Sequence, residues 1–402
     1  MKILILCTWF PYPQNQGSKI RAYHLIRALA RDHELALISY EDQPIDNEWL
    51  EHLRNYFQLI KVLPEKPFTY SKIKKLAGFF SPYPAAAFAG YNKNMEKLVL
   101  QTAKEWRPDH VFAFTFVTAP YALKIPQVKR IVDIDNLLAI MLREDVNFGK
   151  NWFQKSRRYL AFKKMKNYEN KIYRPFDKCL VVSDLDVKRV QEYTEIQPSQ
   201  LICAPNGVDL DVNQPVKAPK VNGQLIYNGA LTYYPNYDAM SYFLTEIFPI
   251  ILQARPELTV VITGKTDGVP IDQLPFQEYI QFTGYVEDIR PFVSSSQVCI
   301  VPLRQGAGTR LKILEAMALG TAVVSTRKGA EGLSFSHPEH ILLADTPQEF
   351  ANAVVLLLNN EELRLNLEQS ALKAVQTMYD WKIIEQKFAG DVRQMSIQGD
   401  PA

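Results

Sequence analysis

Cysteine is scarce. The 402 residues contain four, Cys7, Cys179, Cys203 and Cys299, widely spaced and each within or beside an apolar run. That spacing excludes a disulfide framework and leads us to expect buried, reduced thiols in a reducing cytoplasm. The six histidines (His24, His33, His52, His110, His337, His340) join the cysteines in no cluster with ligand spacing, so no metal site is expected. The first turn carries no GxGxxG, and no P-loop, GxSxG or HExxH occurs anywhere. No run approaches 18 consecutive apolar residues, so no membrane span is expected, and MKILILCTWF is too short in its apolar part for a signal peptide. A formal charge of +3 predicts no nucleic-acid partner.

What is present is an alternation of strands and helices. Lys2–Thr8 reads as a buried strand. It is followed by a loop ending at Gly17, a helix over Ser18–Asp32 and a second strand at Glu34–Ser39. Helix Asn94–Trp106 and strands at His110–Phe116, Arg130–Ile134, Cys179–Ser183 and Leu201–Ala204 continue the pattern. A polar, proline-containing stretch follows Pro205-Asn206-Gly207, and the alternation restarts at Gln224–Asn228. At 402 residues two cores are expected. The boundaries read as 1–205, a linker 206–222, a second domain 223–379 and a terminal segment 380–402. The fold class is α/β, with ligands at the carboxyl ends of the strands.

The stretch GAGTRLKILEAMALGTAVVST (306–326) carries the most chemistry. Gly306 and Gly308 precede a helix whose free N–H groups favour an anion, and Arg310 and Lys312 add positive charge in the same turn. Glu315, inside an apolar run, is costly to bury unpaired and suits either the lysine or vicinal sugar hydroxyls. An ordinary crossover helix with a surface Lys–Glu pair fits the same letters. Asp133 and Asp135 end a strand, where a carboxylate either contacts a ligand or caps the next helix. His24, on the first helix, reads as a packing or solvent residue. From Lys150 to Lys178 ten basic residues stand against Glu169 and Asp177, interleaved with Trp152, Phe153, Tyr159, Phe162 and Tyr168. This segment, with 67–88 of similar character, suits either an anionic bilayer surface or a crossover helix packed on its sheet.

These motifs, together with VVSDLDVKRV (181–190), APNGVD (204–209), NGALTYYPNYDAMSYF (228–243) and FTGYVEDIRPF (282–292), resemble the retaining "group 1" glycosyltransferases over nearly the whole chain. That resemblance implies a GT-B fold, in which two Rossmann-like domains face each other across a cleft. It also implies a nucleotide-diphosphate sugar as donor substrate, no cofactor and no metal. In it the loop Gly306, Ala307, Gly308 and Thr309, with Arg310, Leu311 and Lys312, meets the diphosphate. Glu315 binds the ribose, Tyr285 and Val286 flank the base, and Gly17 and Gly229 admit the donor closely. The last helix, around Trp381–Phe388, crosses back to the first domain.

Three departures accompany the resemblance. Ala307 stands where the family commonly has a first glutamate. The Arg and Lys that follow the first strand of the second domain are absent from NGALTYYPNYD, and Arg310 and Lys312 replace their charge, as in an exopolysaccharide subgroup with GTRLK. The family's N-terminal histidine has no match near Phe112–Phe116, leaving Asp135 as the acceptor-side candidate. The implied reaction retains anomeric configuration, and the acceptor is a polysaccharide or a lipid-linked glycan at the inner membrane face. A non-catalytic protein binding sugar nucleotides or glycans is the alternative, favoured by Ala307. An epimerase of the same architecture would need acid/base groups that the sequence does not display.

Overall fold

The computed structural model describes residues 1–68, 81–147, 151–306 and 308–397. Two compact units emerge, one of residues 1–205 with the chain from Glu385 onward, the other of residues 206–384. Each contains, among the described residues, one wholly parallel sheet.

The first unit orders its strands β3-β2-β1-β4-β5-β6-β7. Here β1 is Lys2–Cys7, β2 Glu34–Tyr40, β3 Leu59–Leu63, β4 His110–Phe114, β5 Lys129–Asp135, β6 Lys178–Val181 and β7 Leu201–Cys203. The central strands are apolar on both faces because helices cover both, as parallel sheets require. The chain's direction across the sheet reverses between β1 and β4, which places a crevice at their carboxyl ends. The first helix spans Gly17–Ala30 and the terminal one Trp381–Ile397. Within this unit, buried Glu385 accepts from His24 Nδ1 at 2.8 Å and pairs with Arg27 and Arg31, each at 2.6 Å. His24 is thus a buried partner of Glu385.

The second unit orders its strands β10-β9-β8-β11-β12-β13, with the reversal between β8 and β11. They are β8 Gln224–Asn228, β9 Thr259–Thr263, β10 Ile280–Gly284, β11 Val298–Val301, β12 Ala322–Ser325 and β13 Leu342–Leu343. The sequence predicts one helix over 236–254, whereas the structure has Tyr234–Tyr242, a π-turn at Phe243–Ile247 and then Phe248–Ala254. Pro249 explains the break. It has no N–H for the carbonyl four residues back, and the π-turn lets Phe248 N–H reach Phe243 O instead.

The basic helix runs Trp152–Tyr173 and divides the two readings of its aromatics. Phe162 and Tyr168 are buried in the core, whereas Trp152, Phe153 and Tyr159 are exposed. Lys150, and 69–80 of the similar segment, lie outside the described residues. All four cysteines are free thiols, and among the described residues no metal-holding group occurs.

Candidate functional site

In the second unit the carboxyl ends of the parallel strands bring most of the singled-out residues to one edge of the sheet. Beyond β11, Arg304 pairs with Asp238 at 2.6 Å and lies over the Tyr242 ring at 4.5 Å, anchoring the start of the glycine loop. Gly306 and Gly308 then adopt φ of +104° and +87°, a region costly for any side chain. Ala307 lies outside the described residues. Past Thr309, the helix begins at Leu311, one residue later than the sequence suggests, with Arg310 as its cap. Arg310 is buried and its Nη1 donates to Gly308 O at 3.0 Å, so the guanidinium folds back against the loop.

Lys312 and Glu315 take separate partners rather than each other. Lys312 Nζ donates to Asn236 Oδ1 at 3.1 Å and sits 3.8 Å from the centre of the Tyr227 ring, a cation–π contact. Tyr227 OH also donates to Asn236 Oδ1, at 2.7 Å. Gly229 makes room for this arrangement, because a Cβ there would lie 2.5 Å from Lys312 Nζ. Desolvation pulls the Lys312 ammonium down to about 7, with Arg310 also opposing the charge while Cys299 and Glu315 favour it. Glu315 Oε2 accepts from Asn228 Nδ2 at 3.2 Å, and the same Nδ2 lies 3.2 Å from Lys312 O. Burial raises the Glu315 carboxyl, while Lys312 and Asn228 hold it down. Tyr285, 68% exposed, follows Gly284 at the end of β10, with Val286 half-buried beside it.

In the first unit, a cleft at the ends of β1, β4 and β5 is lined by Thr8, Trp9, Ser18, Thr115 and Asp135. The two aspartates separate. Asp133 is buried and takes Arg21 in a fork, Nε to Oδ2 at 2.8 Å and Nη2 to Oδ1 at 2.7 Å. Arg21 Nη1 also donates to Ala204 O at 2.7 Å. Asp135 lines the cleft as Asp133 does but stands outside that fork, and burial, with Asp133 beside it, raises its carboxyl to about 6. Neither caps the next helix, Leu138–Asn147. Its first N–H groups, of Leu138 and Ala139, are held by the buried Glu169 at 2.8 and 3.0 Å. Asp135 and Thr115 have φ of +53° and +68°. For a threonine that conformation is a genuine strain, of the kind that collects at functional sites. Gly17 is the exposed first residue of its helix.

Sequence reasoning missed Tyr227, Asn228 and Asn236 as the frame around Lys312 and Glu315, and Glu169 as the cap beside Asp135. The letters NGAL and YYPNYD were visible as motifs, but no local signal ties them to a helix some eighty residues on.

Residues 16–212 match the model "Glycosyltransferase Family 4", and residues 222–360 match "Glycosyl transferases group 1". A Klebsiella pneumoniae protein described as "Uncharacterized 44.6 kDa protein in cps region" is 21% identical, over 95% of this chain and 97% of its own. The phosphatidyl-myo-inositol mannosyltransferase of Mycobacterium tuberculosis strain H37Rv is 28% identical, over 53% of this chain and 59% of its own. Among solved structures, the Anabaena protein Alr3699/HepE in complex with UDP and glucose superposes with a TM-score of 0.68, at 16% identity, covering 98% of this chain and 100% of its own. Sucrose-phosphate synthase from Thermosynechococcus elongatus gives 0.75, also at 16% identity, covering 99% and 100%. The fold is that of a GT-B glycosyltransferase, two Rossmann-like α/β domains in one chain. The chain is related to the family 4 and group 1 glycosyltransferases.

Proposed function

We propose that this protein is a retaining glycosyltransferase that moves a sugar from a nucleotide-diphosphate sugar to a glycan or lipid-linked acceptor in cell-surface polysaccharide synthesis. The observation that carries the reading is the placement of Arg310, Lys312 and Glu315 beside the Gly306–Thr309 loop at the strand-order reversal of the second sheet. Two cations and a glycine loop with backbone at positive φ suit a diphosphate, and a carboxylate one helical turn further on suits a ribose diol. The similarity to a Klebsiella protein described by its cps region supports the polysaccharide setting, and the mannosyltransferase similarity supports a lipid-linked acceptor. Uridine is the first base to test, given the UDP-bound Anabaena relative in fold.

In this reading the sugar–phosphate bond loosens into an oxocarbenium-like state. Arg310 and Lys312 stabilise the charge gathering on the departing diphosphate, a role for preorganised electrostatics rather than for a metal. The acceptor hydroxyl attacks from the same face, and its proton passes to a leaving phosphate oxygen. Asp135 orients the acceptor by accepting a hydrogen bond from its hydroxyl. The basic helix Trp152–Tyr173 rests on the anionic inner face of the membrane.

The test incubates the full chain with UDP-, GDP- and ADP-sugars and follows release of nucleoside diphosphate. Slow donor hydrolysis, or transfer giving a product of unchanged anomeric configuration, is expected with one of them. Saturable donor binding with no turnover in any acceptor extract would favour a non-catalytic binding protein instead, the reading that Ala307 suggests.

Gly229→Ala probes the lysine frame. The added methyl displaces Lys312 Nζ, the flexible tip of a side chain, so the fold persists and the unfolding midpoint moves little. Donor affinity is expected to fall on the order of tenfold, in keeping with the cost of displacing a positioning group. Unchanged affinity by calorimetry would remove Lys312 from the donor site.

A further inference from the structure

We propose that a groove on the first unit, outside the strand-end cleft, binds a hydrocarbon chain that ends in a phosphate. Three helices wall it: Ala85–Gly90, Leu138–Asn147 and Trp152–Tyr173. The groove encloses about 350 Å³, within the roughly 300–1,000 Å³ of small-molecule sites. The proposal rests on the lipid-linked acceptor reading above and gives that acceptor a place and a chemistry.

The lining has a simple order. Arg157, Leu160 and Lys164 belong to one stripe of the long helix, at i, i+3 and i+7. The stripe is apolar in its middle and cationic at both ends. Leu138 and Leu142, a turn apart on the facing helix, and Ala86 on the short one complete the apolar wall. Among the described residues lining the groove, Arg157 and Lys164 are the charged ones, and both are positive. A single exposed leucine such as Leu160 is unremarkable on a protein surface. An exposed leucine facing two others in a trough with a cation at each end is a binding arrangement. The trough matches methylene or isoprenoid chain, while its rim matches phosphate, as charge complementarity requires.

Two neighbours strengthen the assignment. Trp152 and Phe153, exposed at 78% and 64%, open the same helix, where aromatic rings suit a headgroup region from which such a chain would be drawn. Leu138 follows Asp135 by three residues, and Glu169, from the same long helix as Arg157, fixes the first N–H groups of the Leu138 helix. One wall of the groove is therefore built on the segment that carries the acceptor-side carboxylate.

The test is calorimetric titration of the full chain with farnesyl phosphate below its micelle concentration, beside farnesol and inorganic phosphate. Farnesyl phosphate is expected to bind at least about tenfold more tightly than either half, since chain burial and phosphate pairing contribute together. Leu142→Gln with Leu160→Gln should weaken farnesyl phosphate toward the level of inorganic phosphate. Arg157→Ser with Lys164→Ser should weaken it toward the level of farnesol. Inorganic phosphate binding as tightly as farnesyl phosphate would overturn the proposal, and so would full affinity in both double variants. Binding to phosphatidylglycerol vesicles without any to farnesyl phosphate would replace the chain site by a bilayer contact. Should the variants fail to fold, the three-ligand comparison on the wild type still decides. Donor hydrolysis is read separately, so failure of the groove and failure of the transferase reading are distinguishable.

Discussion

Replacing Glu315 by alanine is expected to lower kcat/KM for the nucleotide-sugar donor by about two orders of magnitude or more while leaving the fold intact. In the proposed reaction this carboxylate accepts hydrogen bonds from the two ribose hydroxyls. A hydrogen bond to a charged group contributes about 1.5–3 kcal/mol, and two of them correspond to at least about a hundredfold in affinity. The fold survives because Asn228, which donates to Glu315, keeps its contact with Lys312 O in the variant. The variant also removes a carboxyl that burial disfavours in its charged form, so its unfolding midpoint should match or slightly exceed the wild type's at neutral pH. The sign follows from the raised carboxyl: a folded state that prefers the proton loses stability as pH rises above the unfolded value. A ligand series assigns the contact. The wild type should lose affinity for nucleoside diphosphates lacking the 2′ or 3′ hydroxyl, Glu315→Ala should not discriminate among them, and inorganic pyrophosphate should bind both proteins alike. Wild-type kinetics in Glu315→Ala would refute the ribose assignment.

How much of this was legible in the sequence varies with the range of the interaction. The buried central strands announce themselves as apolar runs, and β1, β2, β4, β8, β9 and β11 fall within a residue or two of where the letters place them. Strand β3, Leu59–Leu63, passed unread because it is an edge strand, half-buried along its length and interrupted by Lys61. The helix Thr115–Ala122 was hidden by Pro120 and by a threonine start at positive φ. In the site, Arg310, Lys312 and Glu315 were visible because one short helix carries all three. Their frame was not, since Asn236 reaches Lys312 across 76 positions and Asn228 reaches Glu315 across 87.

The aspartate pair shows the limit most clearly. Residues two apart on a strand normally share a face, so the letters DID left Asp133 and Asp135 equivalent. The pairing of β5 with β6 shifts register between them, and Asp135 turns to positive φ. Both carboxylates line the cleft, but Asp133 is thereby committed to the Arg21 fork and Asp135 is not. No period in the sequence encodes that shift. The same holds for Glu169, which looked like a lone acid in a basic helix and caps a helix thirty positions earlier.

Lys312→Met is expected to lower kcat by about two to three orders of magnitude, the cost of removing one preorganised charge from a transition state that gathers charge on a leaving group. Its pH dependence is the sharper prediction. Desolvation holds the free protein's Lys312 near 7, well below an ordinary lysine, so only part of the population carries the ammonium at neutral pH. An arriving diphosphate favours the charged form and raises that value, so donor binding takes up a proton. In the wild type, affinity should therefore be greatest below about 7 and should fall by up to about tenfold per pH unit above it, until the bound-state value is reached. In Lys312→Met the same profile should be flat over that window. Stability moves the opposite way. A lysine whose folded value lies below its unfolded one destabilises the folded state at low pH. That cost fades as pH climbs from about 7 toward the ordinary lysine range, so the apo protein gains stability where donor affinity declines. Asn236 Oδ1 and the Tyr227 ring face hold the Lys312 nitrogen in place for the phosphates. Calorimetry in two buffers of different ionisation enthalpy measures the proton uptake directly. A wild type that binds donor with no proton uptake, or a methionine variant that keeps the wild-type slope, would place the diphosphate away from Lys312.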